Sequence, residues 1–446
     1  MTAPIRTLNE RVGLRKAVDQ RDSGELGREL HAFAAQLYPI CRSITGEGIR
    51  QTLDLIGERI PLRKFSVPTG TAVFDWTVPK EWNVRDAYVK DSCGRRVIDF
   101  QKSNLHVLNY STPIRASMTL SDLKSHLFTI PEQPDRIPYR TSYYKEDWGF
   151  CLSHNQLREM QEGLYEVCID ASLDNGALTY GECYFQGQTT DEVIISCHAC
   201  HPSLANDNLS GLTVATSLAK LLSECDRRYS YRFLFIPGTI GAITWLARNR
   251  DTVGRIRHGL VLTCVGDSGG FHYKKSRRGN AEIDRAAEHV LKHQGEPFEI
   301  LEFSPYGYDE RQYCSPGFDL PVGCVMRSVW GTFPEYHTSG DDLNFIHPTQ
   351  LAGSLRLCAQ IIDVLENNRT YRNLNPFCEP QLGRRNLYKA TGGSAIGEEI
   401  NALLWVLNQS DGGHSLLDIS ERSGMPFSRI CGAAERLQES GLLALV

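Results

Sequence analysis

Residues 193–211 read VIISCHACHPSLANDNLSG, an apolar run typical of a buried strand that stops at a histidine and continues as a polar loop. The loop after His198 ends at Asp207, and a helical pattern begins at Leu209. Sheets that alternate strands with helices carry their ligand sites at such strand ends. An imidazole and a carboxylate at one strand end are suitable metal ligands, so we predict that His198 and Asp207 hold a metal ion, with zinc as the candidate.

The composition indicates a globular protein with more than one domain. The chain has 446 residues, 41% of them apolar and 23% charged, and a formal net charge of −5. This charge gives no general attraction to nucleic acid or to anionic membranes, and no apolar run reaches the roughly 20 residues of a membrane span. The N-terminus lacks an apolar signal core, and the fourteen cysteines follow no regular framework. We therefore expect a cytoplasmic protein with reduced thiols.

Alternating strand and helix patterns predict an α/β domain with a mostly parallel sheet flanked by helices. This domain would be discontinuous and comprise residues 1–60 and 139–373. Short β-type runs between Pro and Gly turns fill residues 61–138, which predicts a small all-β domain inserted into the α/β domain. Residues 374–390 resemble a linker, and residues 391–446 predict a winged-helix-like domain.

The charge of the winged-helix-like segment bears on its function. Residues 391–446 contain three arginines and seven acidic residues, a net charge of −4. DNA affinity depends strongly on neutralising phosphates with Lys and Arg. We therefore expect no nucleic-acid binding and assign the segment to docking or dimerisation. Formation of a homo-oligomer through this segment or through the β insert stays open.

Further polar segments lie in the predicted α/β domain. Asp267 follows the strand-type run at 258–265, and residues 333–342 (FPEYHTSGDD) form a polar loop. A lone histidine at a strand end is more often structural, but three such sites in one α/β domain favour a shared metal site. Residues 136–150, rich in aromatic and polar side chains, suit a pocket wall and a domain seam equally.

The motifs resemble those of the zinc aminopeptidase family that also contains glutamate carboxypeptidase and glutaminyl cyclase. Residues 206–211 (NDNLSG) are similar to its Asn-Asp-Asp-Gly-Ser-Gly motif, and residues 336–341 (YHTSGD) to its Tyr-His-Thr-x-x-Asp motif. Nearly the whole chain resembles a bacterial group of aminopeptidase-like proteins with an inserted β domain and a C-terminal winged helix.

The resemblance implies a role for each matching residue. Asp207 would be the central metal ligand, His198 and Asp267 would complete the first metal site, and His337 would bind from the opposite side. Asp341 would orient the His337 loop. The resemblance thus implies bound Zn²⁺ and a small-molecule or peptide-like substrate.

Two positions depart from the family pattern. Cys200 stands where the family has an aspartate that supports the first histidine, so this thiol would either bind zinc or pack. Residues 236–241 (IPGTIG) place Gly238 where the family has two glutamates, one the general base and one a ligand. Loss of a glutamate ligand favours one zinc ion over two.

A general base would therefore have to come from another segment, within reach of the attacking water. Glu335 and Glu310 are the candidates. Residues 308–313 (YDERQY) resemble the family's Ser-Asp-His substrate loop. We expect substrate contacts from this loop and from the residue before His337, namely Asp309, Arg311 and Tyr336.

Two other interpretations concern the opening stretch. His201 lies in the same loop as His198, but the strand ends at Cys197, which favours His198 as the ligand. Cys197 and Cys200 also form a Cys-x-x-Cys pair. A redox role is disfavoured because a loop separates this pair from the next helix N-terminus, where such thiolates are stabilised.

The leading hypothesis is a zinc-dependent, aminopeptidase-like hydrolase of an amide or peptide-like bond. The alternative is a non-hydrolytic zinc-binding protein that keeps the peptidase fold for recognition or assembly.

Overall fold

The computed structural model describes residues 13–387 and 397–446. The predicted boundary between linker and winged helix, at residues 390 and 391, lies outside these ranges. So do the first twelve residues of the predicted α/β domain.

The helices lie mainly on the two faces of a central sheet and in the C-terminal domain. Their bounds are α1 (Leu14–Asp19), α2 (Ser23–Leu37), α3 (Glu47–Gly57), α4 (Leu120–Leu123), α5 (His154–Glu159), α6 (Gly211–Ser223), α7 (Ile240–Arg248), α8 (Glu282–His293), α9 (Glu310–Tyr313), α10 (Pro348–Asn367), α11 (Glu398–Gln409), α12 (Leu416–Ser423) and α13 (Phe427–Glu439). Every helix in the described ranges is too short or too polar to span a membrane.

The strands belong to one large sheet and several small ones. Their bounds are β1 (Arg63–Pro68), β2 (Ala72–Val73), β3 (Trp76–Thr77), β4 (Glu81–Lys90), β5 (Arg96–Asp99), β6 (Ile114–Thr119), β7 (Leu127–Phe128), β8 (Phe150–Cys151), β9 (Leu164–Asp174), β10 (Ala177–Phe185), β11 (Glu192–His198), β12 (Ser230–Ile236), β13 (Ile256–Leu262), β14 (Phe271–Lys274), β15 (Phe298–Leu301), β16 (Val322–Met326), β17 (Thr370–Asn373), β18 (Asp411–Ser415) and β19 (Leu443–Leu445).

The large sheet confirms the predicted α/β class. Within the described residues it has eight strands in the order β1-β10-β12-β11-β13-β16-β14-β15. The centre is parallel, from β12 through β11 and β13 to β16. All of β11 is buried, because side chains of a strand alternate between the two faces and each face meets its own apolar core. Val193, Ile195 and Cys197 pack into one core, and Ile194 packs into the other.

The inserted all-β sheet is confirmed as well. It has the order β5-β4-β9-β6 and is antiparallel throughout. Strand β9 belongs to this sheet although it lies beyond the predicted insert of residues 61–138. Strand β1 lies within that predicted range but pairs with β10 in the central sheet. The insert therefore leaves the central sheet at β1 and returns to it at β10.

The C-terminal domain follows α10 closely along the chain. Strand β17 comes directly after α10 and pairs antiparallel with β18 and β19, although the sequence analysis assigned residues 370–373 to the α/β domain. Helices α11, α12 and α13 complete the predicted winged helix. It docks on the α/β domain, where Arg285 on α8 forms ion pairs with Asp418 and Glu421. His289 on the same helix accepts a hydrogen bond from the backbone N–H of Phe427 at 3.0 Å.

Candidate metal centre

The end of β11 brings the first predicted ligands together. His198 is the last residue of β11, and Asp207 lies in the irregular turn Ala205–Ser210 that leads into α6. Asp207 is fully buried. Its Oδ1 lies 2.9 Å from Nε2 of His198, and its Oδ2 lies 2.9 Å from Nε2 of His337. The carboxylate of Asp207 therefore joins two imidazoles from distant parts of the chain.

A third histidine completes this cluster. Nδ1 of His201 lies 3.2 Å from Nε2 of His198 and 3.5 Å from Oδ2 of Asp207. Ligand atoms of these three residues all lie within 4.8 Å of one another. The sequence favours His198 over His201 as the ligand, but the structure places both beside Asp207. The spacing His-x-x-His in a loop was the signal that could have suggested both.

The backbone around Asp207 is fixed by Asp341. Oδ2 of Asp341 accepts a hydrogen bond from the backbone N–H of Asp207 at 2.9 Å, and its Oδ1 accepts one from Asn206 at 2.5 Å. Asp341 was predicted to orient the His337 loop. It lies in that loop, four residues after His337, and holds the Asp207 turn, so it connects the two segments that supply ligands.

The structure does not bring Asp267 into this cluster. One carboxylate oxygen accepts hydrogen bonds from Ser328 Oγ at 2.6 Å and from Gly269 N–H at 2.7 Å. The other accepts one from the side-chain amide of Asn206 at 2.7 Å. Asp267 therefore supports the residue beside Asp207, and both of its oxygens are occupied.

Aromatic rings enclose the cluster. Tyr308 stacks on His198 with ring centroids 4.5 Å apart, and Tyr336 stacks on His337 at 4.0 Å. The hydroxyls of these two tyrosines lie 3.0 Å apart. Tyr139 packs edge-on against His201 and His337, with centroids 5.0 and 5.1 Å away. Tyr139, from the segment 136–150, therefore forms part of the wall of the site.

The electrostatics of the cluster keep Asp207 ionised. Burial would raise the pKa of Asp207, but His201, His198 and His337 outweigh burial and lower it well below its ordinary value. Burial also lowers the pKa of His198, which keeps this imidazole neutral. Burial would lower the pKa of His201 too, but Cys200 and Asp207 raise it well above its ordinary value. An ionised carboxylate is therefore buried among imidazoles.

The donor set fits zinc. Imidazole nitrogen and carboxylate oxygen are among its usual ligands, and a catalytic zinc has three protein ligands and one position open for water. His198, His201 and Asp207 lie within 4.8 Å of one another, and His337 lies on the second oxygen of Asp207. Three of these four residues would hold the ion and leave one position open.

His201 is also held from behind by a buried arginine. Arg42 is completely buried, and its Nε donates to the backbone carbonyl of His201 at 2.8 Å. Its Nη1 donates to the carbonyl of Leu37 at 2.7 Å. Burial lowers the pKa of Arg42 to about 10. The sequence pattern at residues 38–45 favours an interhelix turn with a surface arginine over a substrate contact, whereas Arg42 is buried and holds the backbone of His201.

Both predicted base candidates are paired with cations. Glu310 is buried and bonds Nζ of Lys274 at 2.8 Å. Glu335 forms an ion pair of 2.7 Å with Arg136. Each of the two carboxylates therefore has one oxygen engaged by a cation.

The other predicted site residues surround the turn after β12. The backbone N–H of Gly238 donates to Sγ of Cys200 at 3.3 Å, and that of Thr239 donates to Oδ1 of Asp309 at 2.7 Å. Arg311 follows on α9, where its buried Nε has no hydrogen-bond partner among the described residues. Cys197 packs into the opposite core from Cys200, so the two thiols of the Cys-x-x-Cys sequence face different sides of the sheet.

Comparison with known proteins agrees with this architecture. A family model described as a domain of unknown function, DUF4910, matches residues 31–368, and one described as a winged helix-turn-helix matches residues 369–445. A Clostridium acetobutylicum protein named for polysaccharide biosynthesis and an aminopeptidase-like domain is 53% identical over 427 residues, covering 96% of this chain and 98% of that protein.

Solved structures extend the comparison. A crystal structure from Clostridium acetobutylicum has a TM-score of 0.93 and 52% identity, covering 97% of this chain and 99% of that one. A zinc aminopeptidase from Bacillus subtilis has a TM-score of 0.56 and 13% identity, covering 77% of this chain and 95% of that one. The second likeness confirms the predicted fold. The chain thus has the zinc aminopeptidase fold with a C-terminal winged helix, and it belongs to the family described as domain of unknown function DUF4910.

Proposed function

We propose that the protein is a zinc-dependent hydrolase of an amide or peptide-like bond. The observation that carries this proposal is the convergence of His198, His201, Asp207 and His337 at the end of a central parallel strand. Zinc bound there would polarise the substrate carbonyl and lower the pKa of the attacking water. We favour one ion over two because Asp267 bonds other groups and the turn at Gly238 has no carboxylate.

The chain's own residues would bind and orient the substrate. Tyr308 and Tyr336 place two hydroxyls above the cluster, where they are suited to a carbonyl oxygen. Tyr139 and the stacked rings form an apolar wall that limits access of water. The proposed substrate is a small or peptide-like molecule rather than nucleic acid, and the proposed location is the cytoplasm.

A second candidate function rests on a separate observation. The turn after β12 lacks a carboxylate, and both Glu310 and Glu335 are paired with cations. The same site could therefore bind zinc without turnover and serve recognition or assembly.

One experiment tests the first proposal against the second. Zinc content is measured in the purified protein by mass spectrometry, and hydrolysis is assayed with aminoacyl arylamides, dipeptides and N-acylated amino sugars. The amino sugars are included because the Clostridium relative is named for polysaccharide biosynthesis. We expect stoichiometric zinc and turnover that His337→Ala abolishes. Bound zinc without turnover on this panel would favour the second function.

A further inference from the structure

The turn after β12 contacts the ligand-bearing strand end and a buried carboxyl group. A Cβ atom on Gly238 would lie 3.4 Å from Sγ of Cys200 and 3.5 Å from Cβ of His198. The next backbone N–H, that of Thr239, donates to Oδ1 of Asp309 at 2.7 Å. Asp309 is therefore anchored one peptide unit from Gly238, whose N–H donates to Cys200 in the loop that follows His198.

Asp309 has an oxygen with no protein partner. The residue is 1% exposed, and its Oδ2 makes no hydrogen bond to the described residues. Buried polar atoms almost always have a partner, so this oxygen is suited to hold a proton or a water molecule. The preceding residue, Tyr308, stacks on His198. Asp309 is thus the next residue along the chain after a tyrosine of the aromatic wall.

The groups around Asp309 bring the pKa of its carboxyl close to neutral pH. Burial raises its pKa to about 7, the backbone N–H of Thr239 opposes this rise, and Glu310 adds to it. Arg311 and His201 lower the pKa to a smaller extent. The other ionisable groups that face it are those of Cys197 on β11, Tyr313 on α9 and Cys324 on β16. A base with this property is well suited to accept and return a proton near pH 7.

Glu310 differs from Asp309 in its charge balance. It also has one oxygen without a partner, but its other oxygen bonds Nζ of Lys274 at 2.8 Å. Glu310 is thus one half of a buried ion pair. No ion pair within 4.0 Å is formed by Asp309 among the described residues.

We propose that Asp309 is the general base of this site and takes the place of the glutamate absent at Gly238. This inference rests on the proposed hydrolysis. The ionised carboxylate of Asp309 takes one proton from the attacking water, and the water oxygen forms a bond to the carbonyl carbon. The C–N bond then breaks, and the same proton passes to the leaving nitrogen. One water is consumed, an acid and an amine are released, and Asp309 is again ionised.

The test compares Asp309→Asn with the unaltered zinc-loaded protein. Asparagine keeps an oxygen for the Thr239 N–H but cannot take up the proton, and Asp309→Ser serves if the first variant is unstable. We expect kcat/KM to fall at least 100-fold, with unchanged zinc content. The acid limb of the pH profile is expected to disappear from the residual activity. Infrared difference spectra between pH 5 and 8 should lose one protonated carboxyl band.

A matched control is Asp363→Asn on α10. Burial also raises the pKa of Asp363, to about 6, but this residue lies away from the cluster, beside α1 and the winged helix. We expect it to keep full activity. Near-normal kcat/KM in Asp309→Asn, or an unchanged acid limb, would overturn this inference and leave the proposed hydrolysis intact. Absence of turnover in the unaltered protein would overturn both.

Discussion

Nε2 of His337 lies 2.9 Å from Oδ2 of Asp207, although 130 positions separate the two residues along the chain. The other oxygen of the same carboxylate lies 2.9 Å from His198. The end of β11, the turn before α6 and the loop before α10 therefore meet at one carboxyl group. A metal ion bound there would connect the same three segments.

Zinc is accordingly expected to stabilise the fold through Asp207. A ligand present at 100 times its Kd stabilises the native state by about 2.7 kcal/mol, which should raise the Tm by several degrees. We expect Asp207→Asn to abolish this shift, because the neutral amide is a poor ligand. Differential scanning calorimetry with and without zinc measures the effect. Asp319→Asn, on the surface, is the control, and a full zinc-induced shift in Asp207→Asn would place the metal elsewhere.

Arg42 is expected to set the affinity for zinc without touching the ion. Its guanidinium holds the carbonyl of His201 and that of Leu37 together, and lysine cannot make both bonds in the same geometry. Loss of such a supporting bond typically weakens metal binding 10- to 100-fold. Competition with a chelator should show this for Arg42→Lys and not for Arg59→Lys. Equal affinities in the two variants would mean that His201 needs no support.

Removing one partner of the buried ion pair Lys274–Glu310 should lower the free energy of unfolding. Both side chains are almost fully buried and lie 2.8 Å apart. Removing one partner leaves an unpaired buried charge, which costs about 3–5 kcal/mol. We expect this loss in urea unfolding of Lys274→Met and of Glu310→Gln. The double variant should lose much less than the sum, whereas simple additivity would show that the two charges do not interact.

The docked winged helix should respond to acid through His289. This imidazole accepts the N–H of Phe427, and burial lowers its pKa to about 4. Its contribution to stability is therefore present above its unfolded pKa of about 6.5 and is lost as the pH falls towards 4. We expect His289→Gln to reduce the loss of stability between pH 7 and 5 by about 1 kcal/mol.

His414→Gln, an exposed change in the same domain, serves as the control for this experiment. Thermal unfolding at pH 5, 6 and 7 gives the comparison. An identical pH dependence in His289→Gln and the unaltered protein would exclude His289 as the acid-sensitive contact.

The fold was predictable because its signals are local. The continuous apolar run of β11 indicates a strand buried on both faces, and the turn at Gly424-Met425-Pro426 separates two helices of the winged helix. The exchange of strands between the insert and the central sheet was not predictable in the same way. Strand β9 pairs with β4 and β6, which lie far before it in the chain, and no pattern within β9 identifies these partners.

The candidate site was predicted in part for a related reason. His198, Asp207 and His337 stand in motifs that resemble those of a known family. His201 joins them because its loop folds back beneath Tyr139. Tyr139 lies in the segment 136–150, for which the sequence suits a pocket wall and a domain seam equally. Asp267 was expected at a strand end, but β13 ends at Leu262, and the carboxylate of Asp267 is bound by Ser328 and Asn206. The side-chain partners of Glu310 and Glu335 likewise come from segments distant in sequence.

The hydroxyl contact between Tyr308 and Tyr336 couples entry to the site with its ligands. Each ring stacks on a different histidine of the cluster, and the two rings come from separate loops. A molecule that enters between these two rings would separate the hydroxyls on its way to Asp207. Moving either ring removes the stacking partner of a ligand, so arrival of a substrate and adjustment of the coordinating imidazoles would be one event.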